Sequence, residues 1–355
     1  MAYRVGALGL AERHDDRPGD LAVLDLGVQE YTPDSMRVAL AARTSAELSD
    51  HRLIMVWAAR GAPHLHRRRE LSALMKALWP VSDADAAARI NSAQIPDGGK
   101  LGIAAFTATA AAFREILTGS MPRGEVSTQV SARVPSSLTY ECRSCKARHI
   151  AGNIWQHAGL AGGVEVEARG KDATLAPIKN LPGPPAGNEG IAGLISTYLR
   201  LLGPATPIEV AKYFGSTSAE MRKVWPDDLA EVTVQGRKAW LPSGSVPALK
   251  NAKPVPGVRL LPPMDALLQA RDRDVLVPDK ALQKEVWRTL GNPGVLLVDG
   301  EIAGVWRPKM SGRKRVDLTI TPFGALSATS RKAIDAEAME VARARGAADA
   351  TVACA

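Results

Sequence analysis

The chain has 355 residues, 46% of them hydrophobic, 23% charged and only 5% aromatic, with a net charge of +8 at pH 7. That length points to two to four modules rather than one small core, and the composition excludes a disordered or fibrous chain. No apolar run approaches the roughly 20 residues of a membrane span, no basic-then-apolar leader opens the chain, and three cysteines argue against a disulfide framework.

Residues 1–23 are weakly patterned, with a charged loop at 12–20. The segment that follows, Leu24 to Met36, is the one around which the chain is organised. An apolar run ends in Gln29-Glu30-Tyr31, and Thr32-Pro33-Asp34 then turns into a helix from Met36 to Arg43 with a Thr or Asp cap and Pro in its first turn. Polar side chains pinned between a buried segment and a helix start are held rigidly, which suits function. Gln29, Glu30, Tyr31 and Asp34 are therefore candidate functional side chains, an ordinary loop being the alternative.

Arg52–Arg60 reads as an apolar strand ending in a basic residue. It leads into Pro63-His64-Leu65-His66-Arg67, where alternation places both histidines on one face. Two histidines could bind a metal, but no Asp, Glu or Cys completes a site; anion contact by Arg60, His64, His66 and Arg67, or simple packing, is preferred. Residues 81–119 are helical, with Ser82 and Asp83 as caps and an Ala-rich helix over Leu101–Leu117. A further helix, Arg123–Arg133, carries a thin apolar stripe and polar donors, among them Arg123 and Arg133. That pattern suits a DNA groove and equally an ordinary surface.

Cys142-x2-Cys145 has the spacing of a zinc knuckle, with His149 as a third ligand and no fourth nearby; two ordinary thiols in a strand turn are the alternative. A helix over Asn153–Leu160 and a hairpin of Val164–Arg169 with Ala173–Ile178 follow, the hairpin in the shape of a wing. Residues 180–190 are a linker by composition. After the helix Ile191–Leu202, Thr206-Pro207-Ile208-Glu209 and Thr217-Ser218-Ala219-Glu220 are two capping boxes. A hairpin turning at Gln235-Gly236 completes three helices plus a wing, the winged-helix pattern.

From 257 the chain becomes β-rich. Val258–Asp265 is a strand and turn, with Arg271 just behind it. Asp299-Gly300 between apolar runs predicts a hairpin. Arg307, Lys309, Arg313, Lys314 and Arg315 form a basic loop between strands that can follow a phosphate backbone, the alternative being a solvated tip. The tail is an amphipathic helix over Ala328–Ala344, with Cys354 in a frayed end. The excess positive charge favours an anionic partner, nucleic acid foremost.

Four segments together resemble one family, the bacterial AlkZ and YcaQ type DNA glycosylases and related winged helix DNA-binding domain proteins. They are Leu26-Gly-Val-Gln29 with the helix after it, Arg60-Gly-Ala-Pro-His64-Leu65, Leu261-Pro-Pro-Met-Asp265 and Leu297–Trp306. The resemblance implies an α+β fold of three tandem winged-helix modules (1–80, 81–180 and 189–250) followed by a C-terminal β-rich domain (257–355). It also implies a concave face that binds double-stranded DNA.

The implied activity is hydrolysis of the N-glycosidic bond of bulky N7-alkylated purines, through a Gln-x-Asp or Gln-x-Gln motif. Gln29 occupies the first motif position; the second holds Tyr31, and a phenol with a pKa of about 10 is a poor base at neutral pH. Glu30 or Asp34 would then supply the carboxylate. A non-catalytic DNA-binding regulator or damage sensor is the alternative. No cofactor is required, a structural zinc being only one of the two readings of the cysteine spacing, and a monomer in the bacterial cytoplasm is expected.

Overall fold

Alternating apolar residues at the C-terminal end of the chain build a five-stranded sheet, in the order Val258–Leu261, Gly294–Val298, Glu301–Ser311, Arg315–Pro322, Asp349–Cys354. The structure is a computed structural model that describes residues 1–167, 173–312 and 314–354. The first four strands pair antiparallel. Asp299 and Gly300 turn between the second and third with φ of 51° and 82°, the doubly left-handed turn that an Asp-Gly pair favours. Gly294 has no alternative, because a Cβ there would stand 2.3 Å from the Trp306 ring and 2.6 Å from the Leu261 carbonyl oxygen. Val316, Leu318 and Ile320 bury one face of their strand. The helix Ala328–Ala344 packs on the sheet through Ile334, Ala338 and Val341. It delivers the last strand parallel to its neighbour, pairing Cys354 with Ile320. The expectation of a frayed tail is thereby corrected: the short run Asp349–Cys354 is a strand because the sheet edge supplies its hydrogen bonds.

The chain divides into two compact units, each discontinuous in sequence. The first comprises Met1–His51, Thr197–Ala205 and Asp228–Ala355, so the N-terminal segment shares a unit with the C-terminal sheet. Buried charges hold these distant parts together. Arg43 forms a two-pronged pair with Asp265, at 2.8 and 2.9 Å. Arg4 pairs with Asp272 and donates to the Gly203 carbonyl. Glu337 on the long helix accepts from Arg13 and Arg259, and Arg37 donates to the Ala344 carbonyl at 2.8 Å. The hairpin Leu229–Val234 with Arg237–Pro242 turns at Gln235-Gly236 as its sequence predicts.

The second unit comprises Arg52–Ser196 and Thr206–Asp227. Its core is aromatic: Trp155 lies 4.6 Å from Phe113 and 5.8 Å from Trp57, ring centre to ring centre. Gly159 admits the Trp57 ring where a Cβ would sit 2.3 Å away. Ser82 caps Asp83–Ile90, and Thr206 with Glu209 closes a full capping box. The second expected box is half made. Thr217 Oγ1 accepts from the Glu220 amide, but the Glu220 carboxylate accepts from Ser82 and Lys223 instead. With the Ser216–Asp85 bond at 2.5 Å, the Ser82–Glu220 contact stitches the segment after 206 to the helix Asp83–Ile90. The wing-shaped hairpin is Val164–Val166 paired with Thr174–Pro177; Ala168 and Arg169 lie outside the described residues. The helix Ile191–Leu202 carries the chain from the second unit into the first. Among the described residues no helix is long and apolar enough to cross a membrane.

Candidate functional site

Gln29 ends a short extended segment, Val28–Gln29, and is 9% exposed. The turn behind it is closed by a ring of hydrogen bonds. Glu30 is buried, and its Oε1 accepts from the Asp34 amide at 3.0 Å. Its Oε2 accepts from the Met36 amide at 2.7 Å and from Ser35 Oγ at 3.0 Å. Ser35 Oγ in turn accepts from the amides of Tyr31 and Thr32. The helix Ser35–Ala41 is therefore capped by a side chain five residues upstream rather than by Thr32 or Asp34. Asp34 occupies the cap position with φ of 65° and makes no side-chain cap bond. An acidic group at a helix start also meets the favourable end of its dipole.

The Glu30 carboxylate is thus engaged with the turn and the helix start. Tyr31 and Asp34 are half-buried in the same turn. Ser35, which sequence reasoning passed over, joins the two ends of the ring; a hydroxyl one residue after Asp34 was the available signal. Farther along, the Arg43–Asp265 and Arg37–Ala344 contacts fix both the end and the middle of the helix.

The basic residues separate into two groups. His64, His66 and Arg67 are buried, which corrects their assignment to a DNA surface. Both faces of the strand Pro63–Arg67 are covered, so alternation did not mark an open side. Burial holds the His64 imidazole well below its usual pKa, helped by Arg60; His64 Nδ1 lies 2.8 Å from the Ala62 carbonyl. His66 is brought down to about 3 by burial and by Arg67. Neither is a cation at neutral pH. Arg67 pairs with Glu70 at 3.2 Å. Arg60 is turned to Tyr213, lying 4.8 Å over its ring and donating to its carbonyl at 2.5 Å.

The second group is exposed. Arg307, Lys309, Lys314 and Arg315 stand on the hairpin formed by Glu301–Ser311 and Arg315–Pro322. Arg307 donates to the Gly291 carbonyl, and Arg315 pairs with Asp317 at 2.8 Å. Arg313, also expected here, lies outside the described residues. Arg271 is half-buried. In the second unit Arg123 is exposed at the start of its helix, whereas Arg133 pairs with Glu115 at 2.8 Å.

The structure also brings Cys142, Cys145 and His149 together on one hairpin, their ligating atoms all within 4.8 Å of one another. Hydrogen bonds from the Ser144 hydroxyl and from the Cys145 amide draw the Cys142 thiol down to about 7.

Comparison with known proteins places these features in context. Residues 23–344 match the profile of the family described as DNA glycosylase AlkZ-like. An interstrand DNA cross-link repair glycosylase from Streptomyces sahachiroi is 33% identical over 173 residues, spanning 46% of this chain and 44% of that protein. The chain thus matches less than half the length of this curated relative. Among solved structures, Streptomyces sahachiroi DNA glycosylase AlkZ superposes with a TM-score of 0.75 at 24% identity, covering 100% of this chain and 98% of that one. The two share a fold.

Proposed function

This chain belongs to the AlkZ-like DNA glycosylase family, and on that premise we propose that it is a monofunctional DNA-repair glycosylase acting on duplex DNA. Its substrates are bulky N7-alkylated purines. Alkylation at N7 places a positive charge on the purine, so the base departs neutral when the C1′–N9 bond breaks. The enzyme then needs little acid catalysis. It must orient a water toward C1′ and favour the developing oxocarbenium character of the sugar.

The observation that carries this reading is the rigid mounting of Gln29. A carboxamide can accept a hydrogen bond from the attacking water while donating another, which fixes the water without removing its proton beforehand. Tyr31 stands where the family motif has Asp or Gln. Glu30 is committed to the helix start, which leaves Asp34 as the remaining carboxylate of the turn to receive the proton. The exposed hairpin bearing Arg307, Lys309, Lys314 and Arg315, together with Arg123, supplies phosphate contacts. The finer architecture proposed is three tandem winged helices over 1–80, 81–180 and 189–250, followed by the β-rich domain. It acts as a monomer in the cytoplasm.

One observation favours a second reading, a DNA-binding protein without catalysis: no unengaged carboxylate occupies position 30 or 31. A duplex carrying a single N7-alkylguanine, probed for abasic sites, decides between the two. Excision by the wild type, reduced about 100- to 1,000-fold in Gln29→Ala with duplex affinity retained, supports the glycosylase. No excision by the wild type, and none gained by Tyr31→Asp, would establish the binding-only reading.

A further inference from the structure

The hairpin of Thr139–Cys142 and Ala147–Ile150 has no part in the proposed excision chemistry, yet it gathers three soft or borderline donors at one point. Cys142 closes the first strand, Cys145 sits in the turn, and His149 lies opposite Tyr140 on the second strand. A tetrahedral zinc ion with Zn–S of about 2.3 Å and Zn–N of about 2.0 Å requires donors roughly 3.5–3.8 Å apart. The observed spread lies within 4.8 Å, so the donors must draw in by about 1 Å to hold an ion. Cys145 is exposed and free to make the adjustment.

Two independent features single this cluster out from two thiols that happen to be near. His149 Nε2 is buried with no hydrogen-bond partner, while Nδ1 stands 3.5 Å from Ser127 Oγ. A metal-binding histidine has one ring nitrogen held by a neighbour and the other left for the ion, and His149 has one nitrogen of each kind. The Ser144 hydroxyl lies 3.2 Å from Cys142 Sγ and 3.8 Å from Cys145 Sγ, a polar setting that suits thiolates rather than packed thiols.

We propose that Cys142, Cys145 and His149 bind one Zn2+ ion, with solvent in the fourth position. The ion locks the hairpin turn and, through His149 and Ser127, ties it to the helix Arg123–Ser131. The Ser131 hydroxyl already accepts from the Ile150 amide at 2.8 Å, so the metal completes an anchorage begun by the protein. A Cys2His donor set with thiolate ligands selects zinc over magnesium or calcium, which prefer oxygen.

Full-length protein purified under reducing conditions is examined by native mass spectrometry and titrated with Co2+ against a chelator. The expected results are one bound zinc per chain and a thiolate-to-cobalt charge-transfer band with tetrahedral d–d transitions. Cys142→Ser, Cys145→Ser and His149→Ala should each weaken Co2+ binding by about a hundredfold or more while leaving the circular dichroism of the chain unchanged. Should a variant fail to fold, the wild-type titration alone decides. Wild-type protein that arrives metal-free and produces no charge-transfer band overturns the site. So does a Cys142–Cys145 disulfide that reductant and zinc together fail to convert to the metal-bound form.

Discussion

Arg43 and Asp265 stand 222 positions apart in sequence and meet as a fully buried pair, with 1% and 0% of their side chains exposed. Arg43 also donates to the carbonyls of Leu8 and Ala39, and Asp265 accepts from the Leu267 amide. Each nitrogen and oxygen of the two charged groups has at least one partner, which is what allows two charges to be buried. Removing one partner strands the other. Arg43→Ala or Asp265→Ala should therefore destabilise the protein by about 3–5 kcal/mol, read as a lower urea midpoint. Replacing both should cost less than the sum of the single losses. Additive losses would mean the two residues act separately.

Glu30 is expected to behave as a structural group. Glu30→Gln keeps one acceptor oxygen but turns an amide toward donors, and should lower stability by about 1–3 kcal/mol. Excision should fall by less than tenfold, because Gln29 is loosened rather than deprived of a base. A thousandfold loss of excision at unchanged stability would instead make Glu30 the base.

The basic hairpin should set the salt dependence of duplex binding. Lys309→Ala with Lys314→Ala should flatten the slope of log affinity against log salt by about 2, roughly 0.9 for each phosphate left without its lysine. The effect should be alike for damaged and undamaged DNA, since phosphate contacts carry no base information. An unaltered slope removes the hairpin from the interface.

Histidines shielded from water, His66 fully and His157 in part, give stability a defined pH dependence. His66 and His157 are each held at about 3, in both cases chiefly by burial, against an unfolded value of about 6.5. Between these values the unfolded chain binds protons that the folded chain does not. Stability is thus complete above about pH 6.5 and declines as pH falls toward 3, by up to roughly 1.4 kcal/mol per pH unit for each histidine. His157→Phe should flatten the decline by one proton in a series of denaturant melts. An unchanged curve would show that His157 takes up its proton over the same pH range folded as unfolded.

The features legible in the sequence were those whose cause lies within a few residues. Ser82 before Asp83, Thr206 three residues before Glu209, and Asp299-Gly300 between apolar runs each specify a local hydrogen bond or dihedral, and each is found where expected. The tail helix is likewise bounded by its own pattern. What escaped depended on partners far away or on a choice between equivalent atoms. Nothing local distinguishes a Glu30 carboxylate that reacts from one that folds back on its own helix. The alternation of His64 and His66 describes a strand, but not whether one face or both are covered. Asp349–Cys354 is too short and too Ala-rich to announce a strand without its neighbour, and the Arg43–Asp265 pair has no signature at all.

The placement of the N-terminal segment within the C-terminal unit has a consequence for biosynthesis. Gln29 emerges from the ribosome well before Asp265, Glu337 and Ala344, which anchor its surroundings. Until then the turn at Glu30 has only its own short helix for support, and a seven-residue helix is marginal alone. Contacts of such sequence separation form slowly and last. A nascent or truncated chain that lacks these partners therefore carries Gln29 on an unanchored arm.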